Sequence, residues 1–156
     1  QILKYLDHLQ PEPSLTDLSP DQEREAWMME DWLDESIGTA TRFVYYDYRS
    51  GPGRELDSSW PSQLVIQTVR WQYGIHPASI ELAAGRLYTA LQVLQPRWLA
   101  APFLVGNQFS IADLTAAALL SPLARLPKYR QDYPWLFERI SEIHDLCGEP
   151  LPPGLP

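Results

Sequence analysis

The chain has 156 residues, 45% of them hydrophobic and 21% charged, which predicts one globular domain with a sizeable core. Its formal net charge of −8 argues against nucleic acid or an anionic membrane surface as the main partner. Because Cys147 is the only cysteine and no apolar run is long enough to cross a bilayer, we expect a cytoplasmic protein without a disulfide or a membrane span.

The first residues, "QILKYLD", have the pattern of a helix that begins without a cap, and we expect this helix to cover residues 1–9. The Pro-rich residues 10–19 are predicted to form a linker. Ser19, Pro20 and Gln22 then supply an N-cap, a first-turn proline and a capping-box glutamine, which together predict a helix start.

One apolar stripe follows that start and predicts a long helix ending near Gly51. The stripe residues recur at steps of three and four: Ala26, Met29, Leu33, Ile37, Ala40 and Val44.

Three further helices are predicted from apolar spacing. One runs from Gln63 to Tyr73, and one begins at Pro77 and stops before Pro96. The inner face of the second is expected to hold Ile80, Ala83, Ala84, Leu87, Leu91 and Leu94. The last begins at Pro134, and its stripe contains Leu136, Ile140, Ile143 and Cys147, so that Cys147 is expected in the core. Since no convincing strand pattern occurs, the sequence predicts an all-α domain over residues 20–148 with an extended tail over 149–156.

The stretch "FLVGNQFSIADLTAAALL" predicts a strongly capped helix start. Ser110 can accept from the N–H of Asp113, and the Asp113 carboxylate can reach back to the N–H of Ser110, which is a capping box. Phe109 and Leu114 flank the box as a hydrophobic staple. The residues behind the box are almost all apolar, which indicates a helix surrounded by other helices. A catalytic role for Asp113 is disfavoured because its spacing from Ser110 already explains it.

This helix start resembles the signature of the C-terminal domain of glutathione transferases. The resemblance extends to "EDWLDE" in the long helix, to "YPWLFERI" before the last helix and to "QILKYLD", which is similar to the helix that closes the family's thioredoxin-like domain. It implies a glutathione-transferase-like helical bundle whose thioredoxin-like half is missing from this chain.

The resemblance also implies a function. The full protein would conjugate glutathione, as co-substrate, to a small apolar electrophile, or would reduce peroxides. Most of the glutathione site, with the Ser, Tyr or Cys that activates the thiol, is expected upstream of Gln1. This chain alone is therefore expected to be inactive.

By the same resemblance the long helix would form the wall of the acceptor pocket and part of a homodimer interface. The expected pocket residues are Trp32, Tyr45, Tyr46 and Tyr48, whose rings suit an apolar site that also orients a ligand. Trp27 or Trp32 is expected near the subunit boundary. An alternative for each ring is packing against the missing domain or a second subunit.

A metal site is disfavoured because His8, His76 and His144 lie in different segments without ligand-spaced companions. Two other functions stay open from the residues alone. The chain could be a non-catalytic module for protein–protein interaction, or a ligand carrier that uses the pocket without chemistry.

Overall fold

Six helices and no β-strand make up residues 14–155 of the computed structural model, which describes these residues together with residues 5 and 9. The all-α prediction is confirmed for this part of the chain. Most of the helix predicted over residues 1–9 and part of the predicted linker lie outside the described residues. Tyr5 and Leu9 are both helical and exposed.

The first helix, α1, covers residues 20–50 in three consecutive segments. These are an α-helical segment Pro20–Trp32, a π-helical turn Leu33–Gly38 and an α-helical segment Thr39–Ser50. All six residues of the predicted apolar stripe are buried, so that prediction is confirmed. The π-helical turn was not predicted, because two successive steps of four residues also fit an ordinary helix.

Helix α2 covers Trp60–Gln72 and begins three residues before the predicted start at Gln63. Helix α3 covers Pro77–Ala100 and continues past Pro96, so the predicted end before that proline is wrong. The last turn of α3 is retained because Trp98 is buried and donates a hydrogen bond to a side chain of the next helix.

The predicted inner face of α3 needs correction at two positions, of which the first is Ile80, a half-buried residue. Ala83, Leu87, Leu91 and Leu94 are buried, whereas Ala84 is exposed. Ala84 follows Ala83 directly and so lies about 100° further round the helix, beyond the buried stripe.

Helix α4 covers Ile111–Leu120 and packs against α1 on one side and against the last helix on the other. A 3₁₀ turn, Ser121–Arg125, leads into the short α5, Pro127–Asp132. Helix α6 covers Pro134–Cys147 and packs on α3, α4 and α5. The apolar sequence of α4 predicted a helix surrounded by other helices, and seven of its ten residues are buried.

Cys147 is exposed, so its predicted place in the core is wrong. The three residues before it on the α6 stripe are buried, but Cys147 is the last residue of the helix and borders an open space that it shares with Leu114 and Ala118 of α4.

The tail after α6 is non-helical and folds back over the 3₁₀ turn. Pro152 is buried, and Arg130 donates to the carbonyl oxygen of Gly154 at 2.6 Å. Gly154 has a φ of 109°, and a Cβ there would collide with the carbonyl of Ala124, so glycine is required at this close approach. The predicted extended tail therefore contains a turn at Gly154.

None of the helices in the described part of the chain has the length and apolar character needed to cross a membrane.

Candidate functional site

The tyrosine cavity is a space of about 450 Å³ between α1, the 3₁₀ turn and the folded-back tail. Its apolar wall comes from Leu119, Pro122 and the tail prolines Pro152 and Pro153. Its polar lining consists of Thr41, Arg42, Tyr45, Tyr46, Ser121 and Arg125. A concave, mostly apolar space of this size with a few convergent polar groups is typical of a small-molecule site.

The hydroxyl of Tyr45 lies between two guanidinium groups. Arg49 Nη1 donates to it at 3.1 Å, and Arg125 Nη1 donates to it at 3.3 Å. The Arg49 guanidinium also lies 5.9 Å from the centroid of the Tyr45 ring. Because both donors use lone pairs of the phenolic oxygen, the hydroxyl proton of Tyr45 is available for a further acceptor.

Arg49 is buried behind this ring and is fixed by several partners. Its Nη2 donates to Ser62 Oγ at 3.3 Å and to the carbonyl of Asp57 at 3.4 Å. Hydrogen bonds from Ser59, and more weakly the charge of Arg49, hold the pKa of the Asp57 carboxyl below its ordinary value. Tyr45 is thus supported from behind by an immobilised cation.

Tyr46 packs edge-on against Tyr45, with ring centroids 5.5 Å apart. The two rings separate the tyrosine cavity from a second space of about 420 Å³ that reaches Arg49, Ser62 and Ile66. The pair therefore forms a partition with an accessible face on each side.

Thr41 is the most deeply buried polar residue of the cavity lining, with 2% of its surface exposed. Its Oγ1 has no hydrogen-bond partner among the described residues. A buried hydroxyl without a partner costs free energy, so among the described residues Thr41 is the buried polar residue of the cavity lining whose hydrogen-bonding capacity is unused.

The four predicted pocket residues do not share one site. Tyr45 and Tyr46 lie together in the tyrosine cavity, whereas Trp32 lines a separate space of about 560 Å³ with Leu82 and Arg86. The Tyr48 ring covers Gly53, where a Cβ would overlap it. The Trp32 space is larger, but the hydroxyl of Thr89 in its lining already donates a hydrogen bond to the carbonyl of Gly85. The tyrosine cavity is the better candidate because the buried hydroxyl of Thr41 in its lining has no hydrogen-bond partner among the described residues.

The start of α4 brings Ser110 and Asp113 together as a capping box, but only one of the two predicted hydrogen bonds is found. The Asp113 N–H donates to the Ser110 backbone carbonyl at 3.1 Å and not to the Ser110 hydroxyl. Asp113 Oδ2 accepts from the Ser110 N–H at 3.2 Å and from the Ser110 hydroxyl at 2.9 Å. Its Oδ1 accepts from the Leu104 N–H at 2.8 Å and from Trp98 Nε1 at 3.2 Å. The carboxylate therefore joins α3, α4 and the loop between them.

Asp113 has 0% of its surface exposed. Burial raises the pKa of this carboxyl above its ordinary value, while the four hydrogen bonds partly offset the increase. All of its lone pairs face protein donors, so it has no free atom for chemistry. Phe109 and Leu114, on either side of the box, are half-buried and pack against the core.

Helix α2 has an exposed apolar face, which we call the α2 face, formed by Trp60, Leu64 and Trp71. Trp60 is 75% exposed and Trp71 is 85% exposed, whereas Trp27 and Trp32 pack partly against the core. Spacings of four and seven residues place the three side chains on one side of the helix.

The exposed thiol of Cys147 and the acidic residues offer little chemistry. Burial and the charge of Glu149 raise the pKa of the Cys147 thiol, which disfavours the reactive thiolate. Among the described residues, no group of three or more His, Cys, Asp and Glu side chains is placed to hold a metal ion.

Sequence reasoning did not identify Thr41, Arg49 or Arg125 as site residues. The spacing of Tyr45 and Arg49, four residues apart on one helix, was a usable signal for their contact. Arg125 comes from a distant segment, and no local pattern indicates its bond to Tyr45.

No known protein family has a model that matches this chain, and neither a curated protein nor a solved structure matches it.

Proposed function

We propose that this chain is the acceptor-substrate-binding and dimerisation part of a glutathione-transferase-like protein. The observation that carries the proposal is the tyrosine cavity, in which Tyr45 and Tyr46 line an apolar space and Tyr45 keeps a hydroxyl proton available. The all-α architecture and the buried Ser110–Asp113 box support it.

In this proposal the chain's own residues bind and orient the acceptor. The prolines and Leu119 contact its apolar body, and the Tyr46 ring packs against it. Tyr45 donates its hydroxyl proton to an oxygen on which negative charge develops, and Arg49 and Arg125 hold that hydroxyl in place. Activation of the glutathione thiol is assigned to a thioredoxin-like domain.

The binding test uses meta-dinitrobenzene, an acceptor analogue that does not arylate Cys147 because neither nitro group activates the other for displacement by a thiolate. We expect Tyr46→Ala to weaken its binding about tenfold, which corresponds to about 1.4 kcal/mol, because the aromatic wall is lost. Trp32→Ala, in the separate space, is the matched control and should leave the affinity unchanged. Isothermal titration calorimetry measures both. Equal losses in the two variants, or no binding by the parent chain, would contradict the proposal.

The catalytic test uses glutathione and chlorodinitrobenzene with the purified chain. We expect no conjugation above the uncatalysed rate, because the proposal assigns activation of the thiol to a thioredoxin-like domain and not to this chain. Turnover that disappears when one of this chain's own residues is substituted would show that the division of labour is wrong.

The α2 face favours the second candidate function, a non-catalytic module for protein–protein interaction. Monomeric proteins rarely leave large contiguous apolar patches in water. We propose that a second copy of the chain covers the α2 face in a two-fold homodimer, in place of the boundary at Trp27 or Trp32 that the sequence predicts. Ligand carriage without chemistry remains the outcome if dinitrobenzene binds but no thioredoxin-like partner supports turnover.

Sedimentation equilibrium tests the homodimer at micromolar concentration. Trp71→Ala should weaken the dimer, because an indole ring would lose its apolar contact area. Trp27→Ala and Trp32→Ala test the subunit boundary that the sequence predicts. Because these rings are half-buried against the core, we expect both variants to weaken the dimer less than Trp71→Ala. A parent chain that stays monomeric would exclude the dimer.

A further inference from the structure

The tyrosine cavity has the opposite charge to the rest of the molecule. The chain carries a net charge of −8, yet the cavity lining contains Arg42 and Arg125 and no Asp or Glu. Arg49 adds a third guanidinium directly behind Tyr45. An isolated cationic cavity in an acidic protein focuses a field that attracts anions.

Among the described residues, the two lining arginines have no carboxylate partner. The ion pairs of the described residues involve Arg24, Arg70, Arg97 and Arg139, and none involves the lining pair. Arg125 donates to the neutral Tyr45 hydroxyl, and the Arg42 guanidinium lies 5.3 Å from the centroid of the Tyr73 ring. Their positive charges are therefore left for a ligand.

Neutral donors lie beside these cations. Thr41 Oγ1 is buried without a partner, and Tyr45 has a hydroxyl proton to donate. An ionised carboxylate accepts up to four hydrogen bonds, and its pairing with a guanidinium is stronger than a neutral hydrogen bond. Leu119, Pro122 and Pro152 also line the cavity, and their side chains offer apolar contacts.

We infer that the ligand of the tyrosine cavity is a small amphipathic carboxylate. Its carboxylate binds Arg125, with Arg42 as the outer cation and Thr41 and Tyr45 as neutral donors. Its aromatic or aliphatic body packs against the prolines and Leu119. This inference rests on the proposed function, since it names the class of small molecule that the same cavity takes.

The test compares phenylbutyrate with its neutral amide, phenylbutanamide, by isothermal titration calorimetry. The parent chain should bind the carboxylate at least about tenfold more tightly than the amide, because only the carboxylate forms charge-assisted bonds. Added salt should reduce that ratio, since Arg42 is exposed and screened.

Arg125→Gln should bring the ratio close to one, and Arg125→Lys, which keeps the charge, should retain part of it. The matched control is Arg86→Gln, because Arg86 lines the Trp32 space, where Glu81 is also present. Thermal midpoints of all variants verify that they fold. Should Arg125→Gln fail to fold, Arg42→Gln at the exposed mouth replaces it, with a smaller fall in the ratio expected.

The outcomes separate this inference from the proposed function. Equal affinity for the two probes, with sensitivity to Tyr46→Ala, would overturn the carboxylate assignment and leave the acceptor cavity intact. Binding of neither probe nor dinitrobenzene would remove both. A ratio unchanged by Arg125→Gln and lowered by Arg86→Gln would place the anion in the Trp32 space and overturn the inference.

Discussion

The start of α4 and the tyrosine cavity bury polar groups in opposite ways. At the start of α4, each Asp113 carboxylate oxygen accepts two hydrogen bonds from protein donors. In the tyrosine cavity, the described residues offer no hydrogen-bond partner to the Thr41 hydroxyl and no carboxylate to Arg42 and Arg125. A completed network stabilises a fold, whereas an incomplete one raises the free energy of the unliganded protein until a ligand supplies the partner. The difference assigns stability to the first region and binding to the second.

Of the substitutions that test this difference, Asp113→Ala should have the largest effect on stability. We expect it to lower the free energy of unfolding by about 3 kcal/mol, because the donors of Ser110, Leu104 and Trp98 would remain buried without acceptors. Urea denaturation measures the loss, and Asp145→Ala on the exposed side of α6 is the matched control.

Ser110→Ala, alone and combined with Asp113→Ala, sharpens that result. If the two residues act as one unit, the double variant should lose less than the sum of the single variants. Additive losses, or an unchanged stability in Asp113→Ala, would show that the network does not hold the start of α4.

Thr41→Val should act in the opposite direction. Valine keeps the shape of threonine and removes a hydroxyl that has no partner, so we expect the unliganded chain to gain about 1 kcal/mol. The affinity for phenylbutyrate should fall at the same time. Thr89→Val, which removes a hydroxyl bonded to the Gly85 carbonyl, is the control and should bring no gain. A loss of stability in Thr41→Val would mean that its hydroxyl has a structural role.

The smallest expected effect is a pH dependence of the Asp113 region. Burial raises the folded-state pKa of Asp113 above the unfolded value of about 3.9, so the folded state holds the proton more tightly. The contribution of Asp113 to the free energy of unfolding is therefore fully present below the pKa of the unfolded state. It is lost as the pH rises through the pKa of the folded state. Relative to Asp113→Asn, the parent chain should therefore be more stable at low pH than at neutral pH. Urea denaturation across this range measures the difference, and an advantage that grows with pH would contradict it.

The fold was predictable where one local pattern sufficed. The stripe of α1 and the Ser110–Asp113 spacing depend on residues within a few turns of one another, and the structure has those residues buried. The end of α3 and the exposure of Cys147 depend instead on which helix packs against them. Local spacing does not contain that information.

The candidate site was predictable only in part, for the same reason. The aromatic residues near the end of α1 indicated Tyr45 and Tyr46 as site residues. Trp32 was grouped with them, but it lines a separate space. Arg125 is 80 residues from Tyr45 along the chain, so their hydrogen bond depends on the tertiary fold and no local sequence pattern predicts it.

The π-helical turn Leu33–Gly38 sets the rotational phase between the two halves of α1. A π-helical turn holds more residues than an α-helical one, so residues after it are turned about the axis relative to an uninterrupted helix. Each residue of an α-helix corresponds to about 100° of rotation. Loss of one residue from this turn would therefore direct the second half of α1 away from its present neighbours without changing any side chain there. Deleting one residue of the π-helical turn would therefore displace Tyr45 and Tyr46 more than most substitutions of residues next to them.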